Sequence, residues 1–404
     1  MLLLIAWRNI WRNKRRTLIT LASIGFAVFF ACIMQSMQLG SYERMIENAV
    51  RFYTGHIQVH EKGYWDDKTL DNSLEVTESL QTKLSGEADL SAYVPRIESF
   101  ALASHGTLTK GVLVNGIDPI KETGLTDLQG KIVEGQYLST PGDIMIGEGL
   151  STYLKAAPGD TLVLISQGYH GANAAGKYRI VGTLKFPTQE MSAQAAYIML
   201  SDAQYFFNMP NRATSLALLL DNSEAVPGVK ADLTSKLDTA VYEVMDWKEL
   251  MPELVQSIEI DYASGRIMLY VLYAIIAFGI FGTFLMMTNE RQYEFGVMLS
   301  IGMKRRLMQG MLLLEIIMLA VLGVVMGIIA ASPILAYFYL NPIHVGGEMA
   351  QAYEKMGLEP ILPFSLAPEV FVNQAQVVLV MTILMAIYPL WIVGKLKVIK
   401  ALRS

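Results

Sequence analysis

Asn289-Glu290-Arg291-Gln292-Tyr293-Glu294-Phe295-Gly296-Val297-Met298-Leu299-Ser300-Ile301-Gly302-Met303-Lys304-Arg305-Arg306 joins two long apolar runs, Ile267–Thr288 before it and Leu307–Leu340 after it. Thr17–Leu39 and Asn373–Gly394 have the same character, and Glu315 is the one charge carried by the four runs. A span needs roughly 20 apolar residues to cross about 30 Å of hydrocarbon, and all four are long enough. The third run is longer and holds Pro333, which predicts a tilt, a kink or an extension past the membrane. Acidic residues open the joining stretch, Phe295, Met298 and Leu299 share a helical face, and Gly302 can stop a helix before Lys304–Arg306. A short amphipathic helix here suits a groove on a partner, and a solvated turn with scattered apolar residues fits so short a window equally well.

Basic residues set the orientation. They gather at Arg8–Arg16 (Arg8, Arg12, Lys14, Arg15, Arg16), at Arg291–Arg306 and at Lys395–Arg403, whereas the connection from Leu340 to Val372 carries Lys355 against Glu348, Glu354, Glu359 and Glu369. Basic loops stay cytoplasmic, so both termini and the middle loop are expected there and the long segment 40–265 on the opposite side. The segments are then 17–39, 267–288, 307–340 and 373–394 as spans, 289–306 as a cytoplasmic connection, 341–372 as an external loop and 395–404 as a cytoplasmic tail.

The averages, 52% hydrophobic and 17% charged, hide two materials. Ser41–Gly265 holds 17 basic and 30 acidic residues, a net of −13, and the remainder holds 15 and 7, a net of +8. An acidic domain on a basic, membrane-seated frame excludes a nucleic-acid partner, which needs a clustered basic face, and fits contact with anionic lipid. Cys32 is the single cysteine, so no intrachain disulfide forms. A lipoprotein signal cut before Cys32 is the competing reading of the first run, but the Phe29-Phe30 pair and the apolar continuation through Ile33-Met34 favour a retained span. Residues 1–16 place Leu3, Leu4, Trp7, Ile10 and Trp11 at helical spacing among arginines, the pattern of an interfacial elbow helix.

Glu290-Arg291-Gln292-Tyr293-Glu294-Phe295-Gly296-Val297-Met298-Leu299-Ser300-Ile301-Gly302-Met303 resembles the signature after the second span of the FtsX/MacB-type ABC transporter permeases. Trp7-Arg8-Asn9-Ile10 with Lys14-Arg15-Arg16-Thr17, Leu313-Leu314-Glu315, and Pro389 with Val398-Ile399-Lys400-Ala401-Leu402-Arg403 are similar to other parts of that frame, with Ile399-Lys400 in place of the usual Asp-Pro. The resemblance implies a coupling helix that docks on a separate ATPase through Glu290, Arg291, Glu294, Phe295, Met298, Leu299, Gly302, Lys304 and Arg305, with Glu315 supporting the junction. ATP and Mg would then belong to the partner, leaving this chain without a cofactor and non-catalytic.

Segment 40–265 reads as mixed α/β. Gly55–His60, Gly111–Ile117 and Thr161–Ile165 have strand character; Thr77–Ser85, Asp202–Phe207 and Val226–Leu237 read as helices, around a mostly stranded insertion from about Lys121 to Leu200. Asn115-Gly116-Ile117-Asp118-Pro119, Ile146-Gly147-Glu148-Gly149-Leu150 with Pro158-Gly159-Asp160, and Asp246-Trp247 resemble the periplasmic core of the lipoprotein-releasing (LolC/LolE-type) and MacB-type permeases, the last two pointing toward the LolC/LolE type. The implied fold class is a four-helix membrane frame with a large periplasmic α/β domain, a MacB-like periplasmic core of porter and Sabre parts.

Gly171-Ala172-Asn173-Ala174-Ala175-Gly176-Lys177-Tyr178 has phosphate-loop spacing, but Tyr178 stands where a Ser or Thr would hold Mg and a strand follows, so it reads as a hairpin tip. In the LolC type a hairpin of this region captures a lipoprotein carrier, which implies that role for Gly168, Tyr169, His170 and Gly171; a flexible Gly-rich loop is the plainer reading. His56, His60, His105, His170 and His344 lack metal-ligand spacing, and no catalytic set emerges. The leading expectation is a mechanotransmission permease that pairs with a second copy or a paralogue and extracts lipoproteins. Phe30, Met34, Met37, Tyr262 and Met268 would line an acyl-chain slot, or serve ordinary helix packing. MacB-like efflux of peptides or drugs, with a membrane-fusion protein in place of a carrier, and FtsX-like control of cell-wall hydrolases are the alternatives.

Overall fold

The computed structural model describes residues 2–87, 89–186, 189–355 and 360–397. Val398–Arg403, part of the family resemblance, lies outside them. The chain divides into two compact units: Met1–Arg44 with Ser257–His344 and Ile361–Ser404, and Met45–Gln256 with Val345–Pro360.

The first unit is the helical frame. Its elements are α1 (Leu2–Arg12), α2 (Lys14–Ala49), α3 (Pro252–Glu290), α4 (Gln292–Ser300), α5 (Arg305–Leu340) and α6 (Pro368–Gly394). Helices α2, α3, α5 and α6 are long and apolar enough to cross a membrane. Helix α5 runs through Pro333 and α6 through Pro389. One core joins Ile10 of α1, Ile24 and Val28 of α2, Phe284 and Met287 of α3, and Leu312, Ile316 and Leu319 of α5 with Val378 and Ala386 of α6.

Small residues set how closely α2 and α5 approach. A Cβ on Gly327 would meet the Gly25 carbonyl oxygen at 2.5 Å and Val28 Cβ at 2.7 Å, and one on Gly323 would meet Ile24 Cβ at 2.7 Å. Lipid tails are as apolar as the helices, so close van der Waals packing of this kind substitutes for a hydrophobic driving force. Several polar side chains of the frame are hydrogen-bonded to one another. Tyr273 donates to Gln374, Gln374 donates to Gln35, and Tyr42 donates to Asp261 Oδ2 at 2.7 Å. Ser365 donates from its N–H to the Ser36 carbonyl (3.0 Å) and from its hydroxyl to Glu43 (2.9 Å), fastening the segment before α6 onto α2.

The second unit is built on a ten-stranded sheet. Its strands are β1 (Ile57–Glu61), β2 (Leu90–His105), β3 (Leu108–Ile117), β4 (Ile132–Gly135), β5 (Asp143–Gly147), β6 (Thr161–Gln167), β7 (Asn173–Leu184), β8 (Ala195–Met199), β9 (Ser215–Leu220) and β10 (Tyr242–Asp246). The order β10-β1-β9-β2-β3-β8-β5-β7-β4 is supplemented by β6, which pairs with both β2 and β7. The ladder β2-β3-β8-β5-β7-β6 therefore closes on itself as a six-stranded barrel, filled by Ile97, Val112, Val114, Ile144, Ile146, Leu162, Leu164, Ile180 and Ile198.

Strand β2 belongs to both parts. Its first half pairs with β9 up to Arg96↔Ser215, and its second half pairs with β3 from Ile97↔Gly116 onward. The stranded part is thus wider than the expected Lys121–Leu200, because a 16-residue strand outlasts its first partner and carries the ladder into the barrel. Arg96 at the changeover is buried and paired with Glu122 of the helix Pro119–Leu125, which Asp118 caps. Asp246 caps Trp247–Leu250 in a capping box with Glu249.

His60 is fully buried on β1. Its Nε2 lies 2.8 Å from Gln58 Oε1, and the Gln58 amide already donates to the Thr54 carbonyl, so the imidazole donates through Nε2. The ring stacks with Tyr64 and Trp65 at 5.3 and 5.6 Å. Burial, assisted by the charge of Lys68, pushes its pKa down to about 4.

Two outcomes are expected. Gly327→Val forces a branched side chain against the α2 backbone and should cost about 1–3 kcal/mol, read as a lower midpoint in thermal unfolding of the detergent-solubilised chain. Folded His60 resists a proton that the unfolded chain accepts near pH 6.5, so stability should fall as pH drops from there toward 4 and level off below. The loss attributable to His60 is about 3 kcal/mol. A His60→Phe chain should show a shallower decline over the same window; an unchanged decline would remove His60 as its cause.

Candidate functional site

The stretch between α3 and α5 folds as a capped helix set at a sharp break. Arg291 leaves helical geometry (φ −102°, ψ 8°) and separates α3 from α4. At the other end Gly302 takes φ +98°, a left-handed conformation in which a side chain would be strained. Met303 N–H donates to the Met298 carbonyl (3.0 Å) and Gly302 N–H to that of Leu299 (3.1 Å), the paired bonds of a Schellman stop. Lys304 is extended and α5 begins at Arg305.

The inward face of α4 is the expected apolar stripe. Phe295 is fully buried in the frame core beneath the Arg291 guanidinium, 5.2 Å from its ring centroid, and Met298, Leu299 and Met303 pack against the same core. Phe295 is thereby withdrawn from an outside partner, which corrects its expected place on a docking face, whereas Met298 and Leu299 are half-buried. The outward face instead carries Tyr293, 57% exposed, and Ile301, 81% exposed, with Glu290, Ser300, Gly302, Lys304 and Arg306. Tyr293, Val297 and Ile301 follow i, i+4, i+8 spacing, so a second stripe was present in the sequence; burial alone distinguishes the two.

A chain of charges holds α4 in place. Arg291 Nη1 donates to Glu315 Oε2 at 2.6 Å, with both side chains buried, and Arg291 Nε donates to Glu294 Oε2 at 3.1 Å. Glu294 also accepts from Arg12. Burial pulls the Glu294 pKa upward, but the bonds from Arg12 and Arg291 outweigh it and hold the carboxyl below its usual range. The turn, α1 and α5 are thereby joined as one unit. Arg305 is engaged elsewhere: it donates to the carbonyls of Gly394 (2.8 Å) and Leu396 (3.1 Å), closing the C-terminal end of α6. Its guanidinium caps α6 while Arg305 itself stays exposed.

The five expected slot residues differ in burial. Met34 packs with Ala31, Leu269 and Tyr273, and Met37 against the frame core, whereas Phe30, Tyr262 and Met268 are exposed. The same helices and α6 carry the hydrogen-bonded Gln35, Tyr42, Asp261, Tyr273 and Gln374, which no periodic pattern announces because isolated Gln and Tyr carry no such signal.

In the barrel, the β6–β7 connection is only Gly168–Ala172; Asn173 onward is paired strand, with Gly176 opposite Leu164, so the expected tip to Tyr178 is much shorter. It lies against the barrel. A Cβ on Gly168 would meet the Phe207 carbonyl at 2.6 Å, Tyr169 N–H donates to that carbonyl (2.8 Å), and Arg212 covers the Tyr169 ring at 5.0 Å. His170 and Gly171 are exposed, and His170 N–H donates to Asp71 Oδ1 at 2.6 Å.

Arg291→Met leaves Glu315 buried without this cation and should destabilise the chain by about 3–5 kcal/mol, while Arg291→Met with Glu315→Leu should recover most of the loss. Thermal unfolding of the two variants checks this; equal destabilisation would mean the pair is not what ties α4 to α5.

Residues 17–236, more than half of the chain, match the model of the MacB-like periplasmic core domain, and residues 266–398 match that of the FtsX-like permease C-terminal region. The chain is 23% identical over 297 residues to the lipoprotein-releasing system transmembrane protein LolC of Neisseria meningitidis serogroup B, covering 71% of this chain and 69% of that one. It is 31% identical over 160 residues to the ABC transporter permease YtrF of Bacillus subtilis, covering 38% and 35%. The periplasmic region of MacB from Actinobacillus actinomycetemcomitans aligns at 14% identity with a TM-score of 0.36, covering 52% of this chain and 95% of that one.

Proposed function

This chain belongs to the FtsX/MacB-type family of ABC transporter permeases, and from that premise we propose that it is the non-catalytic membrane subunit of a mechanotransmission complex that releases lipoproteins from the inner membrane. Its basic ends and middle turn face the cytoplasm, its α/β domain faces the periplasm, and a separate ATPase supplies ATP and Mg. A second permease copy or a paralogue completes the membrane part.

The observation that carries this reading is the build of α4. A helix stopped at both ends, bonded through Arg291 to Glu315 of a spanning helix, and exposing Tyr293 and Ile301 is suited to pass a push from outside the membrane into α5. A rigid lever of this kind needs no chemistry of its own. The ATPase groove would receive Tyr293 and Ile301, with Glu290, Lys304 and Arg306 at the rim. The likeness to LolC supports lipoprotein cargo, and peptide efflux or hydrolase control is the outcome to set against it.

Native mass spectrometry of the complex with its co-expressed ATPase tests the reading. Retained ATPase together with a bound acylated polypeptide released by ATP is expected. ATPase without acylated cargo would overturn lipoprotein release, and no ATPase at all would overturn the coupling role. Ile301→Asp, which alters an exposed position, should weaken ATPase retention by about tenfold or more with little change in the chain's own thermal stability.

A further inference from the structure

Helix α1 has two unlike faces. Ala6 and Ile10 are buried, and Asn9 lies against Met311 of α5. The opposite face leaves Leu3, Leu4, Trp7 and Trp11 exposed, the two indoles meeting edge to face at 5.9 Å. Arg8 flanks this apolar stripe, and Lys14 and Arg15 follow it at the start of α2, all three exposed. Exposed indoles beside cations are the composition of a helix lying in the head-group layer, where the apolar face enters the acyl boundary and the cations meet lipid phosphates. One cation of the group is turned the other way: Arg12 reaches Glu294, which reaches Arg291, which reaches Glu315. One row of charges thus runs from α1 through the turn carrying α4 to α5.

We propose that α1 is a binding site for anionic phospholipid, formed by Arg8, Lys14 and Arg15 beside Trp7 and Trp11, and that its occupancy sets the order of α4 through Arg12 and Glu294. The regulatory part rests on the reading of α4 as the coupling element. Lipid bound at α1 holds the helix flat on the leaflet and keeps Arg12 over Glu294. Without anionic lipid, α1 is less firmly seated, the partly exposed Arg12–Glu294 pair opens more often, and α4 loses its ionic tie to α1 while keeping Arg291 and the packing of Phe295. Arg12 and Glu294 are positioning residues here: they transmit the state of α1 and touch neither lipid nor nucleotide.

The full chain is tested in vesicles of phosphatidylcholine alone and with one third phosphatidylglycerol. Dibrominated phosphatidylglycerol should quench tryptophan emission more than dibrominated phosphatidylcholine, and Arg8→Gln with Lys14→Gln and Arg15→Gln should reduce that preference by roughly fivefold per charge removed. Trp65, Trp247 and Trp391 are common to both chains and cancel. Amide exchange across Gln292–Ser300 should slow about threefold with phosphatidylglycerol. Arg12→Gln and Glu294→Gln should keep the quenching preference and lose the change in exchange; neither removes a fully buried group. Equal quenching by the two lipids overturns the site, and exchange at α4 indifferent to lipid overturns the transmission. Neither readout involves the ATPase, so a failure of ATPase docking shows separately, in the co-purification.

Discussion

Two opposite charges buried in an apolar frame constrain everything around them. Arg291 and Glu315 are both withdrawn from solvent, and neither charge is tolerable at its position without compensation. That requirement sets the end of α3, because Arg291 must leave the helix to reach α5, and it sets the direction in which α4 departs. With Arg291 laid over Phe295, the apolar side of α4 has one place to go, and the outward side is decided by default. Arg12 and Glu294 extend the same logic to α1, so one buried pair organises three helices and a turn.

Elsewhere in the frame, packing is achieved by absence of side chain and by hydrogen bonds. Gly25, Gly323 and Gly327 bring α2 and α5 close enough for backbone atoms to touch neighbouring side chains. Gln35, Tyr273 and Gln374 bond to one another in the same unit. Both devices suit a frame in lipid, where apolar burial by itself gives little reason for helices to associate. The α/β domain obeys the opposite regime: its barrel core is mainly aliphatic, and the buried pair Arg96 and Glu122 sits where β2 changes partners.

Much of the candidate site was legible before any coordinates. The break at Gly302 follows from its being the residue that tolerates a left-handed conformation, and Glu315 announced itself as a lone acid in an apolar run. The roles went astray where a residue had two possible partners. Phe295, Met298 and Leu299 form a stripe that fits a foreign groove as well as the chain's own core, and periodicity is blind to which one is present. Arg305 is a surface cation whose second task, bonding the carbonyls of Gly394 and Leu396, depends on residues distant in sequence. The Gly-rich turn at Gly168–Gly171 reads as loose because its anchors, Phe207 and Arg212, lie outside the local window.

Residue type along the chain was enough for the four long apolar helices, the charge contrast between frame and domain, and the helix stop at Gly302. Each of these depends on residue type over one or two turns of chain, where backbone sterics and side-chain polarity suffice. Tertiary structure alone decided that β2 leaves one sheet to close a barrel, that α4 turns Phe295 inward and Ile301 outward, and that Arg291 meets Glu315. Those outcomes depend on which distant surface competes for a side chain, and burial free energy has no sequence address until the chain has closed around it.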